Sequence, residues 1–464
     1  MKYLKQISFY LLYAGLHSLL ISCDSDFLDK KPRKSLVVPE TIADYQALLD
    51  NVAVMNSTPG LVEVSADDFV ISTEGWNTLN ETERNTYLWE KDLYGILTVI
   101  SDWNTPYQQV FYSNVVLDGI GKIKTSDTRS LDELKGSALF FRAWAFFHLA
   151  QQFAMPYSAQ NAGNLPGIPV RTTSDVDVMT GRGNIEDTYD RIVEDLQEAL
   201  TLLPISVPSK TRPSKPSAAG LLAQVYLHMG DYEKALAFST ECLSHSHELL
   251  EYSMLNPSLP LAFPVALPSG NSEVIFYSTL INFAYFNNAL TQVDPELYAS
   301  YKEEDLRKSL YFEKRADGTV RFRGSYTGTV ISGSNGGMFS GIAADEIYLL
   351  RAEANARLGN LQQASDDLNH LLSKRLKKDA FTPVSESSSS QLLLIILEEK
   401  RKELVGRGKR WSELRRLNLD PALAKNLSRD INGQRYDLPA NSNRYTFPIP
   451  QAEISLNPME QNPR

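Results

Sequence analysis

AGLLAQVYLHMGDYEKALAFSTECL, residues 219–243, has the order helix, tight glycine turn, helix. Residues 346–372, EIYLLRAEANARLGNLQQASDDLNHLL, have the same order. The small residues and the turn glycine recur at one constant offset: Ala223 with Ala352, Gly230 with Gly359 and Ala235 with Ala364. A match in register at three positions indicates an internal repeat, so the chain is predicted to stack similar helical hairpins.

The spacing within each copy resembles the tetratricopeptide repeat. Small residues such as Ala223 and Ala235 let two helices approach closely, and Tyr226 and Tyr232 fill the space beside them. A third copy is predicted to be split. Its helices lie in residues 139–152 and 186–204, and a Gly/Pro-rich insertion, 155–183, falls at the turn between them. Insertions of this kind fall on one face of a repeat array and often serve binding.

The remaining periodicity predicts a mostly α-helical fold. Repeat-like helices are expected near residues 103–153, 185–204, 217–243, 345–373 and 391–417. Loop-rich segments are expected at 155–184 and 256–342, with a strand-like run at Glu273–Tyr277. Short β-hairpins are expected in the stretch Gly318–Gly341, which alternates apolar and polar residues and is rich in glycine. The charged run Glu398–Glu403 is mixed in sign and is predicted to be a solvated helix face with weak local ion pairs.

The N-terminus is typical of a secretory signal. Lys2 and Lys5 precede an apolar run too short to span a bilayer, and this run ends in Leu20-Ile21-Ser22-Cys23. The ending resembles a bacterial lipobox, which predicts a signal peptide at 1–22, lipidation of Cys23 and a tether at 23–40. An ordinary signal peptide with an incidental cysteine is the alternative. The acids after Cys23 resemble the export signal of surface lipoproteins in Bacteroidetes, or they merely solvate a linker.

Composition and motifs argue against nucleic acid binding and give no sign of catalysis. The formal charge is −10, without the basic stripe that nucleic acid requires. The sequence carries no metalloprotease, P-loop or Cys-x-x-Cys motif, and we expect no cofactor and no metal site. Cys242 and His148 are predicted to be core residues. Paired carboxylates of a glycosidase cannot be recognised from spacing, so a hydrolase is not excluded at this stage.

Several blocks together resemble the SusD/RagB family of nutrient-binding lipoproteins. They are Asp26–Asp29 after the lipobox, the aromatic helix Phe141–Leu149, the block Tyr189–Pro204, the helix-end block Arg410–Arg416, and Phe447–Pro463. The resemblance covers essentially the whole chain, with departures at Arg407, Glu413 and the C-terminal residue. It implies a single SusD-like domain at 41–464.

The resemblance also implies a function and a partner. The protein is expected to bind a nutrient at the cell surface, anchored in the outer membrane, and to sit over a SusC-like TonB-dependent transporter without catalysing a reaction. The ligand is expected to be an oligosaccharide, with a peptide as the alternative. A lipid-anchored hydrolase and a protein scaffold are the competing functions. The helical repeats are expected to serve the fold and the transporter, and not the ligand.

Ligand contacts are expected on aromatic side chains in loops, because a flat ring matches the C–H face of a sugar. Four of the five tryptophans, Trp89, Trp103, Trp144 and Trp411, are predicted to be core or helix-end residues. Trp76 lies in a polar stretch and is either a local plug or exposed for binding, with Asn77 beside it. The further candidates are Phe283, Tyr285, Phe286 and Tyr326.

Overall fold

The structure is a computed structural model, and it describes residues 39–95, 99–324, 326–329 and 337–464. The predicted signal peptide, Cys23 and most of the tether lie outside these residues. Residues Thr41–Arg464 form one compact unit. In the described ranges, no helix is both long enough and apolar enough to cross a membrane.

Helices account for most of the regular structure. In chain order the α-helices are α1 Ile42–Leu49, α2 Val52–Met55, α3 Leu61–Ser65, α4 Thr73–Asn77, α5 Glu81–Tyr87, α6 Ser101–Gly119, α7 Thr128–Phe153, α8 Ile185–Leu202, α9 Lys215–Met229, α10 Tyr232–His245, α11 Ala284–Asn287, α12 Pro295–Ser300, α13 Leu306–Tyr311, α14 Ala344–Arg357, α15 Leu361–Arg375, α16 Ser389–Glu403, α17 Arg410–Leu417 and α18 Gln451–Leu456. Short 3₁₀ turns occur at Ile120–Lys122, Tyr252–Met254 and Asn443–Tyr445, and a π turn at Ala266–Gly270.

The strands are short and pair two by two. They are β1 Ser57–Thr58, β2 Phe69–Ile71, β3 Val274–Phe276, β4 Thr279–Leu280, β5 Thr291–Val293, β6 Phe312–Lys314, β7 Val320–Phe322, β8 Ile342–Ala343, β9 Leu427–Ile431 and β10 Gln434–Leu438. β1 pairs with β4 in parallel, and the other four pairs are antiparallel: β2 with β5, β3 with β8, β6 with β7 and β9 with β10. The predicted strand-like run at Glu273–Tyr277 is confirmed as β3. The hairpin β6–β7 begins at Phe312, so it overlaps the stretch Gly318–Gly341, where hairpins were expected, only at its end.

The repeated sequence forms two helical hairpins, α9–α10 and α14–α15. The predicted turn glycines adopt left-handed backbone, with φ of 78° at Gly230 and 82° at Gly359, a conformation that costs glycine little. Ala235 and Ala364 are fully buried where the helices of each hairpin meet. The ring of Tyr226 stacks on that of Phe238 across α9 and α10, with centroids 5.5 Å apart. The repeat predicted from the register of small residues is confirmed.

The split copy is also present, as α7 packed on α8. A buried bidentate ion pair joins them, since Arg142 Nε and Nη2 donate to the two carboxylate oxygens of Asp195 at 2.7 Å each. α8 begins at Asn184 with a capping box that Asp187 completes. The predicted insertion, residues 155–183, folds back just before this cap. There the Gly167 amide donates to the Gly183 carbonyl at 3.1 Å.

The prediction of a solvated charged run on α16 was wrong. Glu399, Lys400, Lys402 and Glu403 are all buried. Lys400 binds Glu353 and Glu413, each at 3.1 Å, and Glu403 binds Arg307 and Arg375. These partners come from other helices, so spacing along α16 alone did not reveal that the charges are paired in the core. The four tryptophans assigned to the core or to a helix end, in contrast, are buried as expected.

Candidate functional site

A cleft of about 840 Å³ opens in the loop-rich part of the molecule. We call it the loop cleft. Its lining combines aromatic rings, side-chain amides and guanidinium groups, from Phe69, Pro260, Leu261, Asn282, Phe283, Ala284, Phe286, Asn287, Asn288, Ala289, Thr291, Arg315, Arg321, Phe322, Arg323 and Met338. Its volume lies within the usual range for small-molecule sites, about 300–1,000 Å³.

Two aromatic side chains reach the loop cleft because a third holds their segment to the core. Tyr285, in the short helix α11, is fully buried against the ring of Tyr87, with centroids 5.8 Å apart. Its amide donates to Glu83 Oε1 at 2.8 Å. Phe283 and Phe286, on either side, are half-buried, and their rings meet edge to face with centroids 6.5 Å apart. Tyr285 is thus the anchor of this wall.

Gly60 allows the backbone of Ile281, just before this wall of the cleft, to pass close to β1. The Ile281 amide donates to the Thr58 carbonyl at 2.8 Å, which extends the β1–β4 pairing toward the cleft. A Cβ at Gly60 would lie 2.1 Å from the Ile281 carbonyl oxygen and 2.9 Å from the ring of Phe283. No side chain fits there unless the backbone shifts. Gly60 is itself held by Asp102, whose Oδ1 accepts its amide at 3.1 Å.

The β6–β7 hairpin and its flanks supply the arginines of the cleft. Glu313 lies opposite Arg321 across the hairpin and accepts from its Nε and Nη2. Arg315 donates from Nη2 to the Thr291 carbonyl at 3.2 Å. Arg323 donates to three backbone carbonyl groups, those of Pro257, Leu259 and Ser309. The guanidinium groups are therefore held in fixed positions.

Trp76 does not line the loop cleft. Its stretch forms helix α4, capped by the Ser72 hydroxyl, and not the irregular loop that was expected. The ring is half-buried against the core, Nε1 donates to the Arg84 carbonyl at 3.3 Å, and the Arg84 guanidinium lies 5.6 Å from its centroid. This arrangement matches the plug alternative. Asn77 is exposed and lines none of the described cavities.

Two other candidates are placed in the core. The backbone around Tyr285 turns its ring inward, as described above, and burial raises the pKa of its hydroxyl well above the usual range. Tyr326 is buried as well: its hydroxyl donates to Glu273, and the Arg407 guanidinium lies 3.8 Å from its ring centroid. Neither ring lines the loop cleft. Their roles as ligand contacts stay predictions, and in this structure both side chains support the core beneath the loops.

Other cavities are less suited to a nutrient. One of about 220 Å³ lies beside Tyr107 and the exposed Phe111. A smaller one, about 40 Å³, lies beside His148 and His228 and has room for only a few water molecules. His148 is partly buried and packs on Trp144, with ring centroids 4.4 Å apart, and desolvation lowers its pKa well below the usual range. Among the described residues, no cluster of three or more His, Cys, Asp or Glu could hold a metal ion.

Sequence reasoning found part of this site and missed the rest. Phe283 and Phe286 were named in advance and do line the loop cleft. The amide and guanidinium residues were missed. The run Asn-Phe-Ala-Tyr-Phe-Asn-Asn at 282–288 and three arginines within residues 315–323 were the available signals.

Known proteins resemble this chain in both sequence and fold. A SusD-like family profile described as starch-binding and associating with the outer membrane matches residues 26–227, and the SusD family profile matches residues 344–464. SusD-like protein P2 of Formosa agariphila is 32% identical over 135 residues, which are 29% of this chain and 25% of that protein. The alignment thus spans about a quarter of that relative's length.

Solved structures agree over nearly the whole chain. A SusD superfamily protein from Bacteroides thetaiotaomicron superposes with a TM-score of 0.74 at 24% identity, covering 91% of this chain and 100% of that one. A SusD-like carbohydrate-binding protein from Bacteroides vulgatus gives 0.69 at 18% identity, covering 90% and 97%. At these identities the likeness establishes the fold, and it confirms the predicted mostly helical, tetratricopeptide-like scaffold. The family profiles together match well over half of the residues, and the chain belongs to the SusD family.

Proposed function

We propose that this protein is a nutrient-binding lipoprotein of the outer membrane that captures an oligosaccharide in the loop cleft and delivers it to a SusC-like TonB-dependent transporter. The observation that carries the proposal is the composition of the cleft. Phe283, Phe286 and Phe322 offer ring surfaces, and Asn282 and Asn287 stand beside them. Aromatic walls with a few polar groups that fix orientation are the usual construction of a small-molecule site.

The same lining argues for binding without hydrolysis. Among the described residues that line the loop cleft there is no Asp, Glu, His or Cys. Glycoside hydrolysis usually needs two carboxyl groups that flank the scissile bond, one of them as general acid. This cleft therefore offers a sugar a surface and hydrogen-bonding groups, but no proton donor of that kind.

Titration of the purified chain with a panel of oligosaccharides tests the ligand proposal. Phe283→Ala and Phe286→Ala remove ring surface and should each weaken binding at least tenfold, a change expected when a contact aromatic is truncated. Phe111→Ala is the matched control, because Phe111 is an exposed aromatic at a different cavity. Equal affinities for all three variants would place the ligand elsewhere. A panel of peptides tests the alternative ligand class.

Anchoring is a separate part of the proposal and has its own test. Cys23 is proposed as the lipid attachment site, so Cys23→Ser should abolish labelling with a fatty-acid analogue in cells. Cys242→Ser controls for the second cysteine, which is buried in the scaffold. Equal labelling of the wild-type chain and Cys23→Ser would refute the anchor.

Transporter association is proposed to use the outer faces of the helical repeats. Glu233 and Lys234 on α10 and Asp366 on α15 are exposed there. Charge reversal at these positions should weaken co-purification with the transporter and leave ligand affinity unchanged. Undiminished co-purification would count against this face.

A further inference from the structure

The charge of the loop cleft is opposite to that of the protein. The chain carries a formal charge of −10, yet Arg315, Arg321 and Arg323 line the cleft. Within the described lining there is no carboxylate to offset them. A positive cleft in an acidic protein attracts anions and repels cations, and low-dielectric walls strengthen this effect.

Two of the three guanidinium groups, those of Arg315 and Arg323, form no ion pair with a described residue, although the exposed carboxylate of Asp317 interacts electrostatically with Arg315. Arg323 donates only to backbone carbonyl groups, and its Nε is buried without a hydrogen-bond partner in the described part of the chain. Arg315 donates to the Thr291 carbonyl and, at 3.5 Å, to Thr319 Oγ1. A carbonyl or hydroxyl orients a guanidinium but does not cancel its charge. Only Arg321 forms an ion pair, with the exposed Glu313.

The hairpin keeps these charges at the cleft. The Arg315 amide donates to the Thr319 carbonyl at 2.8 Å, and Gly318 between them has φ of 86°, so the turn is tight. At the far end, the Arg323 amide donates to the Tyr311 carbonyl at 2.8 Å. Because the hairpin backbone is held at both ends, less loop freedom remains to be lost when the arginines bind a ligand.

We propose that the loop cleft selects negatively charged oligosaccharides, whose carboxylate or sulfate groups bind Arg315 and Arg323. This inference rests on the proposed function and names the substrate class of the same site. A planar guanidinium fork fits the oxygens of a carboxylate or a sulfate and forms charge-assisted hydrogen bonds with them. The aromatic rings and amides beside the arginines favour a saccharide over an acidic peptide as the carrier of the charge.

Matched pairs of probes separate charge from sugar shape. Oligogalacturonate is compared with its methyl ester, and oligosaccharides of κ-carrageenan are compared with their desulfated forms. The two pairs distinguish carboxylate from sulfate as the recognised group, and an oligoglutamate peptide tests charge without a sugar. The purified chain should bind at least one charged saccharide at least tenfold more tightly than its neutral partner, and this preference should shrink as salt is added.

Variants then assign the preference to the arginines. Arg315→Gln and Arg323→Gln should each weaken binding of the charged saccharide more than binding of its neutral partner, and so remove most of the preference. Arg315→Gln is the safer variant for folding, because it loses only the Thr291 and Thr319 contacts. Arg129→Gln, at an exposed ion pair on α7, is the control and should behave as the wild type.

The outcomes separate this inference from the proposed function. Equal binding of charged and neutral saccharides, or a preference that survives both substitutions, would overturn the charge selection and leave the oligosaccharide proposal standing. Binding to no saccharide would contradict both. Tight binding of oligoglutamate alone would show that the cleft binds anionic peptides and not saccharides.

Discussion

The scaffold helices and the loop cleft differ in how far along the chain each residue finds its neighbours. In the hairpin α9–α10, Tyr226 stacks on Phe238, and the glycine turn between them brings the two rings together. In the cleft, Tyr285 is held by Glu83, 202 positions away. The Ile281 backbone is held by Thr58, which is likewise remote in sequence. Local contacts build the scaffold, whereas remote contacts build the site.

The two regions are joined by buried charges. Arg375, at the end of α15, donates to Glu403 on α16 at 2.7 Å and to Glu273, just before β3, also at 2.7 Å. Its guanidinium lies 3.8 Å from the ring centroid of Tyr252. All of these side chains are buried. Because Arg375 binds both Glu403 and Glu273, the rigid repeats fix the position of the loop segments that carry the cleft.

Replacing Arg375 should have the largest effect on the free energy of unfolding. Arg375→Met leaves Glu273 and Glu403 without their common partner in the core, and removing one member of a buried ion pair typically costs about 3–5 kcal/mol. Unfolding in urea should show this loss in the free energy of unfolding. The neighbouring Lys374→Met is the control, because Lys374 pairs with Glu251 at the surface, where such pairs contribute about 1 kcal/mol or less. Similar losses for the two variants would show that the buried charges do not join the regions.

The second-largest effect is a pH dependence of the stability that arises from Asp102. This carboxylate accepts from the Gly60 and Leu61 amides beside the cleft and from Gln152 Nε2 at the end of α7. Burial raises its pKa to about 6, compared with about 3.9 in an unfolded chain. The folded state therefore binds a proton more tightly, so the contribution of Asp102 to stability falls as pH rises from about 4 to about 6 and is constant above.

The size of that pH effect follows from the difference between the two pKa values. About two units correspond to roughly 2–3 kcal/mol between pH 4 and pH 6. Asp102→Asn cannot titrate, so the difference in unfolding free energy between wild type and variant should change by that amount over this range. A difference that is constant with pH would contradict the assignment to Asp102.

Overpacking of the scaffold should have a smaller effect that stays local. Ala235 is fully buried between α9 and α10, and Ala235→Leu adds methylenes where no space exists, at a cost of about 1–2 kcal/mol. Ala237 lies on the exposed side of the same helix, so Ala237→Leu is the matched control. Thermal unfolding checks the order of stability. Ligand affinity should be unchanged in both variants, and a loss of affinity in Ala235→Leu would show that the two regions are coupled more tightly than we infer.

The same difference explains what could be predicted from the sequence. The helices, the glycine turns and the buried alanines were predictable because helical periodicity is local, and because the repeat can be seen by comparing two segments of the sequence. The core placement of Trp144 followed from the apolar residues around it. Alternation and glycine content predicted hairpins at Gly318–Gly341, and the observed β6–β7 hairpin overlaps that stretch only at its end. None of the successful predictions required knowing which remote side chain a residue contacts.

The burial that the sequence did not predict depends on distant partners. Tyr285 and Phe286 are adjacent in sequence, and only the contact with Glu83 and Tyr87 decides which ring turns inward. Tyr326 lies in a glycine-rich loop, but Glu273 and Arg407 hold it in the core. The buried charges of α16 were assigned to solvent for the same reason. The residues next to these positions in the sequence do not indicate which remote side chain determines their burial.

The smallest effect on stability is expected for a substitution of Trp76. The ligand affinity of that variant tests whether the binding surface extends as far as α4. Asn288, which lines the cleft, donates to the Gly75 carbonyl at 3.3 Å and to Thr78 Oγ1 at 2.9 Å, so helix α4 borders the site. Trp76→Phe keeps an aromatic ring and loses the hydrogen bond to the Arg84 carbonyl and part of the attraction to its guanidinium, together about 1 kcal/mol. Because the ring packs on the core and does not line the cleft, calorimetric titration should give the wild-type ligand affinity. Phe286→Ala in the same experiment should bind at least tenfold more weakly. A Trp76→Phe variant as impaired as Phe286→Ala would extend the binding surface across α4 and restore Trp76 as a ligand contact.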